Sequence, residues 1–347
     1  MKINNTWTAA VTPFHSDGSI DWEGLLRNAA FQIEQGITGI VAVGTTGESP
    51  SLTWDEHNKI IAETIRVCKG KVGVIAGTGS NCTQEAISSC RHAAESGADG
   101  LLLVDCYYNG PSSSELREEY YGRIAEAMPG VECIPYLVPG RTGTCLLPPD
   151  IALLSARYGN VNTVKEASGN KENMKMTRRL CGDDFSIISG DDGLTCDLIL
   201  DPDIRCNGVI SVVSNVAPGA MAKMVSLAMS GDKAGAEKLN KALMPLHDIV
   251  GLAVENERSI PGYGPVKVID KYRNPLPTKM LMNVLGMPSG PARPPLGKMS
   301  AKALGVVRAA ITSVKDNDPG LLSPICDFYG VDVFQRIEQD SLWNELL

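Results

Sequence analysis

Eight short apolar runs, separated by helical stretches, constrain this chain more than any other feature. The runs are Thr8–Thr12, Gly39–Gly44, Val72–Gly77, Gly100–Asp105, Cys133–Val138, Asn162–Ala167, Ser186–Gly190 and Gly208–Val212. Their starts lie roughly 22 to 33 residues apart, which is the length of a strand, a helix and two loops. Ile40-Val41-Ala42-Val43 and Leu101-Leu102-Leu103-Val104 are apolar without a break, the pattern of parallel strands buried on both faces. Helices fit between the runs. Thr53-Trp54-Asp55-Glu56 is a capping box opening a helix to about Lys69, and the helix containing Ala86, Ala93 and Ala94 ends near Gly97. Eight such units predict an α/β chain closed into a (β/α)₈ barrel. A doubly wound sheet is the competing arrangement, but no Gly-x-Gly-x-x-Gly follows the first run. Gly77-Thr78-Gly79 is a fragment of that fingerprint and reads as a tight turn.

The barrel pattern spans residues 1–230. Residues 231–347 read as a helical appendage, with helices at Pro218–Ser230 and Lys233–Glu255 around that boundary. A Gly/Pro-rich interruption at Ser259–Pro277 and a second linker at Pro288–Pro295 flank a helix near Lys279–Leu285. Helices are expected at Ala301–Lys315 and in the tail Ile325–Leu347, whose apolar positions are Phe328, Phe334, Ile337, Trp343 and Leu346. The segment near 255–273 looks inserted, and the tail looks extended. With 347 residues the chain suits a barrel carrying an appendage.

Charge narrows the function. The net charge of −8 argues against a broad basic surface for nucleic acid or anionic membrane. No apolar run approaches the roughly 20 residues of a membrane span. Met1–Trp7 shows no signal-peptide core, so the expectation is a cytoplasmic protein with no membrane partner. The ten cysteines include no Cys-x-x-Cys pair and read as reduced, mostly buried small hydrophobes. His15, His57, His92 and His247 have no metal-ligand spacing, so no metal site is expected.

Barrel enzymes work at the carboxyl ends of their strands. The sixth run carries Thr163-Val164-Lys165-Glu166-Ala167, and alternation puts Lys165 and Glu166 on opposite faces. This strand alone leaves open which of the two faces the lumen. A lysine that does so loses hydration, and an amine whose pKa falls from about 10.4 to about 7–8 is a usable nucleophile towards a carbonyl. The fifth run carries Tyr136 near its end, whose hydroxyl can shuttle protons, followed by Arg141, whose fork can hold a carboxylate. The second ends in Thr45-Thr46, and the fourth in Tyr107-Tyr108-Asn109. Each element has an ordinary reading as a turn or as packing. Together they suit imine chemistry on a keto acid.

These motifs, Val43-Gly44-Thr45-Thr46-Gly47-Glu48-Ser49, Tyr107-Tyr108-Asn109, Tyr136-x-Val138-Pro139-x-Arg141-Thr142-Gly143, Val164-Lys165-Glu166-Ala167, Ser189-Gly190-Asp191-Asp192 and Gly208-Val209-Ile210-Ser211, resemble the dihydrodipicolinate synthase family. That family lies in the class I pyruvate aldolase superfamily, which includes N-acetylneuraminate lyase. The resemblance runs over about residues 4–250 and resumes at Asn274-Pro275-Leu276-Pro277. It implies a lyase that condenses pyruvate with L-aspartate 4-semialdehyde in lysine and diaminopimelate synthesis, without metal or organic cofactor. It assigns the Schiff base to Lys165 and a proton relay to Tyr136, Thr45 and Tyr108, the last reaching in from a neighbouring subunit. Thr46 is implied for the pyruvate carboxylate and Arg141 for that of the semialdehyde, with Gly190 and Ile210 lining the pocket. It implies a homo-oligomer, dimer or tetramer, and feedback by L-lysine at Ser49, Trp54, His57, Asn81, Glu85 and Tyr107. Departures are Leu137 in place of the family's usual Asn, Cys106 in place of Pro, Gly140 where Ser is common, and Pro50. Leu137 should point away from the lumen and alter packing only. The alternatives are another pyruvate aldolase, acting on a sugar acid or on 4-hydroxy-2-oxoglutarate, and a non-catalytic ligand-binding barrel. Arg141 argues for a carboxylate-bearing aldehyde.

Overall fold

The computed structural model describes residues 3–347. Eight parallel strands close into a barrel in sequence order: β1 (Asn5–Ala9), β2 (Gly39–Ala42), β3 (Gly73–Gly77), β4 (Gly100–Val104), β5 (Glu132–Leu137), β6 (Thr163–Glu166), β7 (Ser186–Ser189) and β8 (Gly208–Ser211). β1 pairs with both β2 and β8, which completes the ring. Alternation divides the apolar residues into two layers. Trp7, Val41, Ile75, Leu102, Ile134, Tyr136, Ile188 and Ile210 fill the lumen. Ile40, Ala42, Leu101, Leu103, Leu137, Val164 and Val209 pack outward under the helices. Leu137 therefore does lie in the outer layer.

The helix Trp54–Cys68 opens on Thr53 with both hydrogen bonds of the capping box formed, and Thr83–Ser96 ends on Gly97 in the left-handed conformation. The first strand lies nearer the N-terminus than the run Thr8–Thr12 suggested. Its register, Asn5 opposite Gly208 and Trp7 opposite Gly39, ends it at Ala9, and the buried residues beyond form the loop to Phe14.

The region from Lys233 differs more from expectation. The helix that starts there stops at Asp248 instead of continuing to Glu255. The expected Gly/Pro-rich linker is a long antiparallel hairpin, β9 (Gly251–Ile260) and β10 (Gly264–Arg273). Leu252 and Val254 are buried while Ala253 and Glu255 are exposed. That two-residue period is a strand signal written in residues that also favour helix. Pro261-Gly262 makes the turn, with Gly262 at φ 77° and the Tyr263 N–H donating to the Ile260 carbonyl. The hairpin foot packs on the helix Ala301–Asn317, where the Ser300 N–H donates to the Tyr272 hydroxyl.

The helix Leu276–Leu285 is almost wholly buried. The tail forms three short helices, Ser323–Tyr329, Val333–Glu338 and Asp340–Asn344. It covers the barrel's first helix, Trp22–Glu34, with Phe328 and Tyr329 each 5.3 Å from the Phe31 ring. Among the described residues no helix is long and apolar enough to cross a membrane, and all ten cysteines are free, with Cys82 exposed.

Candidate active site

Strand register decides which of Lys165 and Glu166 enters the lumen. Lys165 pairs across the sheet with Tyr136 on one side and Ile188 on the other, both lumenal. Glu166 faces outward, and burial there raises its pKa, opposed by its hydrogen bonds to Ser168. Lys165 and Tyr136 are both buried, and the ammonium nitrogen stands 4.0 Å from the Tyr136 ring centroid. The space beside this lysine is kept by Gly190. A β-carbon there would come within 3.0 Å of Lys165 Cε and 2.7 Å of Ala167 Cβ, which explains why the residue after β7 carries no side chain. Ile210 sits in the lumen on β8.

A cavity of about 430 Å³ opens at the carboxyl ends of the strands. Its lining includes Thr45, Tyr136, Val138, Arg141 and Thr142. It also includes all six residues singled out as an effector site, Ser49, Trp54, His57, Asn81, Glu85 and Tyr107. Lys165, Thr46, Gly190, Ile210 and Tyr108 lie outside this lining; Lys165 stands against Tyr136, which does line it. The Trp54 and His57 rings meet edge-on at 5.3 Å. Burial pulls the His57 imidazole down to about 4, so it is neutral at pH 7. The Glu85 carboxylate accepts from the Ser80 hydroxyl at 2.6 Å, and the Asn81 side-chain oxygen accepts from the Tyr107 N–H at 2.6 Å. Tyr108 is the residue the single chain does not bring in. It is 87% exposed and outside the lining that holds Thr45 and Tyr136.

Sequence reasoning missed the scaffold of the Thr45-Thr46 turn. Glu48, at φ 58° in the left-handed region, forms a fully buried ion pair with Lys279 at 2.5 Å. Lys279 also donates to the Thr12 and Pro291 carbonyls, and the Arg293 N–H donates to the second Glu48 oxygen. The Arg293 guanidinium forks onto Glu56 and holds that carboxylate down at about 2. A second missed residue is Asn274. Its side-chain N–H donates to the Thr46 hydroxyl at 2.9 Å, and its carbonyl accepts from Arg141 Nη2 at 2.9 Å. One signal was available: Lys279 is the only charged residue in Leu276–Leu285, and a lysine in an apolar helix needs a buried partner.

Asp105, just past β4, is fully buried. One carboxylate oxygen accepts from the Tyr121 hydroxyl and the other has no partner. Burial raises its pKa to about 7, opposed by the Tyr121 hydrogen bond. The native state thus holds this proton more tightly than the unfolded chain, whose aspartate titrates near 3.9. The resulting stabilisation is full below pH 4 and is lost as pH rises through 7. Asp105→Asn lacks this titration. Relative to that variant, the natural chain should lose about 2–3 kcal/mol of unfolding free energy between pH 5 and 8 in urea titrations. A difference that does not change with pH would show that Asp105 stays ionised.

Among the described residues no group of three or more His, Cys, Asp or Glu is placed to hold a metal ion. The chemistry of the site is that of hydroxyls and a guanidinium lining one cavity, with the Lys165 amine against the Tyr136 ring beside it.

Comparison with known proteins agrees. The sequence pattern of the Dihydrodipicolinate synthetase family matches residues 2–260. The 4-hydroxy-tetrahydrodipicolinate synthase of Methanococcus aeolicus is 40% identical over 297 residues, covering 86% of this chain and 94% of that protein. The chloride-inhibited dihydrodipicolinate synthase of Acinetobacter baumannii, solved with pyruvate, superposes with a TM-score of 0.80 at 34% identity, covering 90% of this chain and 99% of that one. The enzyme from Cyanidioschyzon merolae, solved with lysine bound, also gives 0.80, at 33% identity, covering 92% and 99%. Barrel, lumenal lysine and family match converge: this chain belongs to the dihydrodipicolinate synthetase family.

Proposed function

We propose that the chain condenses pyruvate with L-aspartate 4-semialdehyde through a Schiff base on Lys165. The observation that carries this reading is the buried, lumenal Lys165 against Tyr136, with Arg141 lining the cavity that Tyr136 also lines. The lysine amine adds to the pyruvate keto carbon, and loss of water leaves an imine. The imine draws electrons from the neighbouring methyl carbon, which gives up a proton and becomes the nucleophile. That carbon adds to the aldehyde, and the semialdehyde's own amine then displaces Lys165 as the ring closes. Tyr136 and Thr45 serve the proton transfers. Thr46 holds the pyruvate carboxylate, Arg141 that of the aldehyde, and Gly190 and Ile210 shape the pocket.

Tyr108 completes the relay of a second copy, which makes the working form a homo-oligomer. Its near-total exposure in the single chain supports this. L-Lysine is the proposed effector, bound by the six effector-site residues that share this cavity. Trp54 offers an aromatic face to its stem, and Glu85 offers a carboxylate to an amine. Pyruvate in the Acinetobacter baumannii structure and lysine in that from Cyanidioschyzon merolae support both ligands. The Arg141 guanidinium argues against polyol aldehydes.

The test is turnover of pyruvate with L-aspartate 4-semialdehyde, followed under increasing L-lysine. Turnover is expected, with inhibition at millimolar lysine that is weakened in Glu85→Ala. No turnover with this aldehyde would reject the substrate reading. Inhibition identical in Glu85→Ala would reject the effector site.

A further inference from the structure

At the mouth of the cavity two arginines from distant parts of the chain exchange partners. Arg141, in the four-residue helix Pro139–Thr142, donates through Nη2 to the Asn274 carbonyl at 2.9 Å. Arg273, the last residue of β10, donates through Nη1 to the Gly140 carbonyl at 2.8 Å. Each guanidinium thus holds the backbone beside the other, and the clasp ties the hairpin foot to the segment that carries Arg141. The next residue, Asn274, reaches Thr46.

We propose that Arg273 is a specificity-determining positioning residue, through which the β9–β10 hairpin orients Arg141 and adds a second positive charge at the mouth for aldehydes that bear a carboxylate.

Three observations support this, and the inference rests on the synthase reading above. First, the clasp occupies one Arg141 nitrogen, which fixes the edge of the planar fork left for a ligand. Bidentate recognition of a carboxylate depends on that orientation. Second, among the described residues neither arginine has a carboxylate within ion-pair distance, although two of the hairpin's other three cations do. Arg258 pairs with Asp270 at 2.7 Å and Lys267 with Glu255 at 2.9 Å. Two guanidiniums without a counter-ion at the rim of a concave site focus positive potential on whatever enters. Third, desolvation holds Arg141 below the usual guanidinium range, opposed by Tyr136 and helped by the neighbouring Arg273 charge. The two cations therefore sense each other, and a bound carboxylate relieves that repulsion.

The inference makes the hairpin part of substrate selection. A carboxylate-free aldehyde gains nothing from Arg273, and pyruvate is held at Lys165 and Thr46.

The experiment compares the natural chain with Arg273→Gln and Arg273→Lys at saturating pyruvate. Arg273→Gln is expected to raise KM for L-aspartate 4-semialdehyde about tenfold, the scale of one charge-assisted contact, with kcat within about twofold. Borohydride trapping of pyruvate and slow turnover of a short aliphatic aldehyde without a carboxylate should both be unchanged. Arg273→Lys, which keeps the charge, should fall between. A KM in Arg273→Gln within twofold of the natural chain would overturn the inference. So would a parallel loss with the neutral aldehyde or in trapping, the signature of a general disturbance. If Arg273→Gln does not fold, Arg273→Lys is read by the same criteria. Absence of turnover in the natural chain would count against the synthase reading, whereas turnover with an unchanged KM in the variants would count against Arg273 alone.

Discussion

Lys165→Ala should gain no mass when treated with pyruvate and borohydride, and its turnover should fall on the order of 10³-fold or more, as removal of a covalent nucleophile does. Among the described residues two lysines are buried, and their surroundings separate them. Lys279 spends its three protons on Glu48 and on the Thr12 and Pro291 carbonyls. Its nitrogen is bound in place and closed off. Lys165 makes no hydrogen bond or ion pair among the described residues and has only the Tyr136 ring face as a neighbour for its charge. A lysine with no bonded partner, and with Gly190 leaving room beside its stem, has its nitrogen free to reach a carbonyl. Intact-mass measurement with peptide mapping reads the result directly. An adduct that persists in Lys165→Ala would move the chemistry to another amine.

Legibility in this sequence followed the range of the interaction. The strands could be read because a parallel strand covered on both faces must be apolar throughout, as Leu101–Val104 is. The lysine's facing could not be read from β6 alone. It needed Tyr136 on β5 and Ile188 on β7, whose register places them beside Lys165. The hairpin was hidden because Leu-Ala-Val-Glu-Asn-Glu suits a helix as well as a strand, and only the Pro261-Gly262 turn and the partner strand decide between them. The six cavity-lining residues from Ser49 to Tyr107 come together because the loop after β2, the helix Trp54–Cys68, the loop after β3, the first turn of the helix Thr83–Ser96 and the loop after β4 all meet at one end of the barrel. Asn274 and Lys279 lie 228 and 231 residues from their partners Thr46 and Glu48, beyond any local pattern. Tyr108 points to a further level, since its proposed role depends on a second copy of the chain.

Lys279→Met should lower the unfolding free energy by about 3–5 kcal/mol, the cost of removing one partner from a buried ion pair. The loss is large because Glu48 has nowhere to go. Its side chain is 1% exposed, its backbone is in the left-handed region, and its second oxygen is tied to the Arg293 N–H. The variant leaves a carboxylate buried opposite a thioether. The effect should extend to catalysis, because Glu48 ends the turn that carries Thr45 and Thr46, and the Gly47 carbonyl within that turn is held by the Thr12 hydroxyl at 2.7 Å. The double variant Glu48→Gln/Lys279→Met separates charge from packing. It removes the stranded carboxylate, and it should recover about half of the lost stability, since replacing both members of a buried pair costs far less than removing one. Its turnover should stay low because the turn has lost its tether. Urea unfolding of the single and double variants measures the first effect, and steady-state rates the second. If the double variant is no more stable than Lys279→Met, the loss comes from the unpaired Thr12 and Pro291 carbonyls and not from Glu48. If Lys279→Met costs under about 1 kcal/mol, the value of an exposed pair, the turn is held by Arg293 and Asn274 without help from Lys279.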